Sequence, residues 1–311
     1  MGSGCYTSWS FNNYATSRGF TYDVTTNRIS GHQFVARTLK EALNPYGKIR
    51  ECCNSDEHPN TVPVILALDV TGSMGEACKE TASAISQIMN ELYNKFKDIE
   101  LMTMGVGDFE CDDFPLQASQ FESDVRIAKQ MDDIYIEHGG GGNEYESYTA
   151  PWWFGLYRTK LDCFDKQGRK GIIITMGDEP LNPTLPDYKV LGYLGSRVNL
   201  PNANVPISKG KSDTYQGSYI FDTKKLYEEA LKKFDIFHIA IDDHNDCYET
   251  YKNDIDRTFK PILGERLKVS TIYNLKTTIC DCISEAIGSR QEVICETDNN
   301  LKYDDNGGVI W

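Results

Sequence analysis

Apolar residues run almost unbroken from Val62 to Leu68, a pattern suited to a parallel strand covered on both faces. The run stops at Asp69. Beyond Gly72 and Gly75 the spacing becomes helical, with Ala77, Thr81, Ala84, Ile85, Ile88, Leu92 and Phe96 along one side. Ile99–Val106 reads as a second strand. Phe121–Ile134 reads as a helix with Val125, Ile127, Ala128, Met131 and Ile134 apolar. His138 and four glycines, Gly139–Gly142, precede an aromatic-rich helix predicted from about Asn143 to Thr159. Gly171–Thr175 predicts a short buried strand running into Met176-Gly177-Asp178. A helix over Thr223–Phe234, a strand over Asp235–Ile241 and a helix over Asn274–Ile287 complete the series.

Strands alternating with helices predict an α/β fold: a doubly wound, mostly parallel sheet with helices on both faces, Rossmann-like, in a single main domain over residues 61–290. Residues 1–60 read as an N-terminal extension wrapped on that domain, with one short helical pattern from Phe34 to Leu43 stopped by Asn44-Pro45. Residues 179–217 are punctuated by Pro and Gly and are long for a connection, so they read as an insertion. Residues 291–311 form an acidic tail ending in Val-Ile-Trp.

Composition narrows the partners. A chain of 311 residues with net charge −14 repels phosphate backbones and anionic lipid, which disfavours nucleic acid and membrane surfaces and favours proteins, peptides or cations. No apolar run reaches the length of a membrane span, and the N-terminus shows neither a charged nor an apolar leader region, so a cytoplasmic location is expected. The ten cysteines include no C-x-x-C pair, which disfavours structural zinc and fits reduced thiols.

Three predicted strands end in aspartate, at Asp69, Asp178 and Asp242, and ligands of doubly wound sheets gather at those ends. Asp69, Thr71 and Ser73 alternate, so they face one way as the strand opens into a loop. One carboxylate and two hydroxyls, joined by Asp178 from a neighbouring strand, suit Mg²⁺, with Mn²⁺ or Ca²⁺ as substitutes. Two carboxylates against one divalent ion leave a neutral site receptive to an acidic group from outside. Ser73 with Glu76, and Asn143 with Glu146, also fit helix capping boxes, and Asp69 alone fits a polar residue leaving a core strand.

The stretches DVTGSM, HGGGGNEYESY and IIITMGDEP resemble the von Willebrand factor type A domain and its metal-ion-dependent adhesion site, over roughly Val62 to Ile287. The form DxTGSM is most similar to intracellular bacterial and phage members. The resemblance implies Asp69, Thr71 and Ser73 on the first loop and Asp178 on the third. Where the family has Gly-Gly-Thr on the second loop, this chain has Gly139–Gly142 and then Asn143-Glu144, which makes Asn143 or Glu144 the replacement, directly or through water. It further implies a Mg²⁺-dependent protein-binding or scaffold domain whose partner presents an acidic residue, and a MoxR-type AAA+ ATPase as one such partner.

Two other readings stand beside it. A metal-dependent hydrolase would use His138 or His244 as base, although no nucleophile–base pair has a recognisable spacing. A structural or virion component would need no metal. Asp108–Asp113 reads first as a solvated acidic turn, with a Ca²⁺ site or an acidic rim on the ligand face as the alternative, and Tyr145, Tyr148, Trp152, Trp153, Phe154 and Tyr157 read as mostly core.

Overall fold

The computed structural model of the chain describes residues 5–23, 25, 26, 28–30, 34, 36–96, 98–137, 144–195, 208–211, 216–242, 246–298, 302, 303, 309 and 310. Six strands build the central sheet: β1 (Val62–Asp69), β2 (Ile99–Val106), β3 (Leu116–Ala118), β4 (Gly171–Gly177), β5 (Phe234–Ile241) and β6 (Leu267–Ser270). Their spatial order is β6-β5-β4-β1-β2-β3. All neighbours are parallel except β2 and β3, which run antiparallel.

The apolar runs are explained by two-sided burial. Every residue of β2, β4 and β5 is buried, and so is β1 from Pro63 onward. Alternation sends Val64, Leu66 and Leu68 to one layer and Ile65 and Ala67 to the other. The first layer is covered by α1 (Gly75–Lys95), α2 (Arg126–Asp132) and α6 (Leu275–Asp298), which contribute Ile88, Leu92, Ile127, Met131, Ile279 and Ile283. The second is covered by α3 (Ala150–Arg158), α4 (Thr223–Ala230) and α5 (Asp246–Leu263), whose core residues include Trp152, Trp153, Leu226 and Phe259. Each large apolar side chain buried in this way contributes roughly 1.5–3 kcal/mol.

The chain moves outward from β1 through β2 to β3, then returns to the other side of β1 with β4 and continues to β5 and β6. The loops after β1 and β4 therefore leave in opposite directions and open a crevice between them. That crevice is the topological switch point of the sheet.

Several boundaries differ from the sequence expectation, each for a local reason. Residues 36–43 hold a single turn rather than a helix, because Pro45 leaves too little chain to nucleate one. The helix expected from Phe121 starts at Arg126, since Leu101 and Glu122 exchange backbone hydrogen bonds and hold that stretch against β2. The aromatic helix starts at Ala150 rather than Asn143, with Pro151 in its first turn, because Glu146 is bridged to Leu181. Residues 246–263 form a helix that apolar spacing had not suggested, and α6 continues past Ile287 to Asp298. Within and just beyond the insertion, Thr184–Pro186, Ser208–Lys211 and Gln216–Asp222 form an antiparallel sheet beside the helix Asp187–Leu194.

The extension binds the domain at two places. A helix, Ser8–Ser17, is started by a capping box between Thr7 and Ser10 and buries Phe11 and Ala15 in the first layer. Tyr14 Oη and Arg18 Nε donate to Asp132 Oδ2 at the end of α2, at 3.0 and 2.8 Å. Farther on, Arg50–Cys52 pairs in parallel with Thr159–Leu161, and the Arg50 guanidinium donates to the carbonyls of Ala42 and Ala118. Ala118 N donates to Leu43 O, so the β3 edge of the sheet is covered rather than open. Among the described residues, no helix is long and apolar enough to cross a membrane.

Leu66 is fully buried at the centre of β1. Leu66→Ala is expected to destabilise the domain by about 2–5 kcal/mol, read as a lower urea midpoint at unchanged slope.

Candidate functional site

β1 delivers Asp69 to the crevice alongside β4, where Leu68 lies opposite Met176. The Asp69 carboxylate is fully buried. Its Oδ1 accepts hydrogen bonds from Thr71 N (2.9 Å) and Thr71 Oγ1 (2.6 Å), an arrangement in which aspartate stabilises the turn that follows it. Its Oδ2 accepts from Tyr148 Oη at 2.6 Å. Gly72–Met74 then forms one 3₁₀ turn, and α1 begins at Gly75 with Met74, not Ser73, in the N-cap position.

Tyr148 is placed by the opposite layer. Its ring meets His238 of β5 at 4.9 Å and Phe259 of α5 at 5.9 Å between centroids. The hydroxyl crosses directly over Gly177, where any Cβ would overlap it, so glycine is required at the end of β4. His238 is stacked on Phe259 and shares a hydrogen bond between Nδ1 and Thr175 Oγ1 at 2.8 Å. Burial drops its pKa to about 3, so it is a neutral core histidine.

The end of β2 is less exposed than its sequence implies. Asp108, expected on a solvated turn, is buried, and its Oδ1 accepts from Glu110 N (3.1 Å) and Ser147 Oγ (3.0 Å). Asp108 N in turn donates to Asp112 Oδ2 at 2.7 Å. Ser147 N donates to Gly107 O, which ties the segment after the glycine loop to β2.

Carboxylates thus accumulate at the crevice. Asp69, Asp178 and Glu146 are all buried, and Glu179 is half-buried. Burial, then repulsion from Asp178, pushes Asp69 up to about 7, against the opposing hydrogen bonds from Thr71 and Tyr148. Burial, followed by Asp69 and Asp178, pushes Glu179 up to about 8. Glu146 is raised further still, again mainly by burial, with Asp69, Glu179, Asp108 and Asp112 all acting in the same direction. A divalent cation reverses this logic by favouring the ionised forms. The donors are oxygens throughout, as a hard cation requires. No three acidic, histidine or cysteine side chains among the described residues already converge on one point.

Of the residues singled out from sequence, Asp69, Thr71 and Asp178 come together at the crevice. Ser73 lies in the adjoining turn, but its side chain is outside the described residues, as are Asn143, His138 and His244. Glu144 is exposed. Asp242 follows β5, where its N–H donates to Ser270 O. The sequence reading missed Glu146, Tyr148 and Glu179 as candidate site residues and placed Asp108 first in a solvated turn. Glu146 had been given to a helix cap, yet the helix it would cap starts after Thr149. Glu179 was visible only as the neighbour of Asp178.

No protein-family model matches the chain, and no curated protein sequence matches it. Solved structures do. The open form of the pilus adhesin SpaC from Lactobacillus rhamnosus GG is 12% identical over 78% of this chain and 31% of its own, with a TM-score of 0.48. The vWF domain of the type V pili tip protein Mfa5 from Porphyromonas gingivalis is 12% identical over 73% and 95%, with a TM-score of 0.43. The SpRpn10 VWA domain is 12% identical over 68% and 87%, with a TM-score of 0.36. This chain therefore spans about a third of the SpaC chain.

Two outcomes follow from the crevice. Tyr148→Phe keeps the ring packing but removes the donor to Asp69 Oδ2, and is expected to cost about 1–3 kcal/mol in urea unfolding. The acids add a pH dependence whose sign is fixed by their raised values. The unfolded chain loses these protons near pH 4, whereas folded Asp69 and Glu179 keep them to about 7 and about 8. The folded state holds more protons in between, so stability in EDTA should fall as pH rises through that window. Melting temperatures measured across it in EDTA test this, and a rise would contradict the arrangement.

Proposed function

We propose that this chain is a von Willebrand factor A-like domain that holds a divalent cation, first of all Mg²⁺, between the ends of β1 and β4, and binds a protein partner through it. The observation that carries this reading is the meeting of buried Asp69 and Asp178 from adjacent parallel strands at the switch point, where burial and the Asp178 carboxylate oppose the ionisation of Asp69.

Asp69 and Asp178 would supply charge and Thr71 and Ser73 hydroxyl oxygens, with one further ligand from the chain that follows the glycine loop; Glu144, a candidate read from the sequence, is exposed and is not counted among them. Thr71 fits this role, since its hydroxyl spends its proton on Asp69 Oδ1 and keeps its lone pairs for a cation. A bound cation supplies fixed positive charge and an open coordination position for an oxygen of the partner. The chain's own residues hold that position rigidly: Tyr148 and Thr71 fix the Asp69 carboxylate from both sides. The net charge of −14 argues for a protein rather than a nucleic acid as partner. A MoxR-type ATPase enters through the family resemblance of the first and third loops.

Binding to the folded state alone raises stability by about 2.7 kcal/mol at a cation concentration a hundred times Kd. Mg²⁺ should therefore raise the melting temperature of the wild type and leave Asp69→Asn and Asp178→Asn unmoved. A protein retained by immobilised wild type in Mg²⁺, and released by EDTA or by Asp69→Ala, would extend the result to adhesion. If Mg²⁺, Mn²⁺ and Ca²⁺ all fail to stabilise the wild type, the reading is wrong.

A further inference from the structure

We infer that Glu146 is the second-loop ligand of the cation, and that the loaded site is consequently anionic and accepts a neutral oxygen donor from a basic partner surface rather than an acidic side chain. This inference rests on the cation-binding reading above and specifies its ligand set and partner chemistry.

The position of Glu146 is fixed from three sides. Its backbone is bridged in parallel to Leu181, just beyond Asp178 and Glu179. The next residue, Ser147, is hydrogen-bonded to Gly107 O and Asp108 Oδ1 at the end of β2. The one after, Tyr148, is hydrogen-bonded to Asp69 at the end of β1. Glu146 therefore stands among the ends of all three strands that flank the crevice, in the chain segment that follows the glycine loop.

Its side chain has no structural task there. It is 4% exposed, and Oε2 is buried without a hydrogen-bond partner. Native proteins rarely leave a buried polar atom in that condition without a ligand or functional reason. Helix capping does not supply one, because α3 starts beyond Thr149 and makes no side-chain cap bond. Glu144, two residues earlier, is exposed. Burial and the charges of Asp69, Glu179, Asp108 and Asp112, all of the same sign, act on Glu146, so a cation is the partner its surroundings call for.

The partner's chemistry follows from charge. Asp69, Asp178 and Glu146 bring three negative charges to a cation with two positive ones, which leaves one net negative charge before Glu179 and Asp108 are considered. A carboxylate arriving from outside would be repelled in a poorly solvated crevice, where like charges interact strongly. A main-chain carbonyl, amide or hydroxyl oxygen meets no such opposition, and flanking Lys or Arg residues would be attracted to Glu179 and Asp108. This differs from the neutral two-carboxylate site that the first loop alone implies.

The test is calorimetric titration of Mn²⁺ into wild type, Asp69→Asn, Glu146→Gln and Glu144→Gln, followed by water-proton relaxation of the Mn²⁺ complexes as acetate or acetamide is added. Binding should be lost in Asp69→Asn, weakened at least tenfold in Glu146→Gln and unchanged in Glu144→Gln. Acetate should leave the water relaxation of the wild-type complex unaltered and reduce it in Glu146→Gln. Glu146→Asp, which keeps the charge on a shorter arm, serves if the glutamine variant does not fold, and should also bind Mn²⁺ more weakly. If wild type binds no cation, the underlying reading and this inference fall together. If Asp69→Asn loses the cation while Glu146→Gln binds as wild type does, only the inference falls. Displacement of water by acetate in wild type would overturn the anionic character of the site.

Discussion

A carboxylate shut away from water at the end of the central strand is the constraint around which this domain is arranged. Asp69 cannot be solvated where β1 leaves it, so the chain must bring donors to both of its oxygens. Thr71 does so locally, within one turn. Tyr148 does so from the opposite layer, and that choice fixes much else: glycine at 177, the aromatic wall of His238 and Phe259, and the course of the chain from the glycine loop into α3. Even with these hydrogen bonds, burial and Asp178 prevail and the acid is weakened. An edge built in this way suits binding positive charge better than standing alone.

The sheet was legible because two-sided burial writes itself into continuous apolar runs, and the runs at Val62 and Ile99 required no knowledge of their neighbours. Helix α1 was equally plain from its spacing. The end of α3 was found, but its start was misplaced, since the bridge between Glu146 and Leu181 joins residues that periodicity cannot connect. Helix α5 went unread because its buried line, Ile255, Phe259 and Leu263, is sparse, and Pro261 falls inside it. The candidate site was half legible: Asp69, Thr71 and Asp178, which the fold brings to one crevice, stand at strand ends in the sequence. Glu146 did not, because Asn143-x-x-Glu146 has the form of a capping box and only the fold shows that no helix begins there. Tyr148 and Asp108 were hidden by their ordinary roles as core aromatic and acidic turn.

The additions to the central domain serve the same edge and its flanks. Lys189, on the helix within the insertion, donates to Glu110 Oε2 at 2.6 Å, and Phe109 packs edge-on against Tyr193 of that helix at 5.7 Å. The loop after β2 is thereby braced from outside the crevice while Ser147 braces it from within. The N-terminal helix grips α2 through Asp132, just ahead of the chain that leads to the glycine loop. Both additions restrain backbone that borders the acids.

The covering of the far edge has a consequence for the order in which the molecule assembles. Arg50–Cys52 is made about 100 residues ahead of its pairing partner, Thr159–Leu161. Contacts so distant along a chain close slowly, because the loop entropy is lost before the pairing is gained. During synthesis at about 5–20 residues per second, the intervening residues take about 5–20 s to emerge. For that interval Cys52, fully buried in the finished fold, lacks the strand it pairs with. The segment that covers this edge is thus made ahead of its partner and settles only after it.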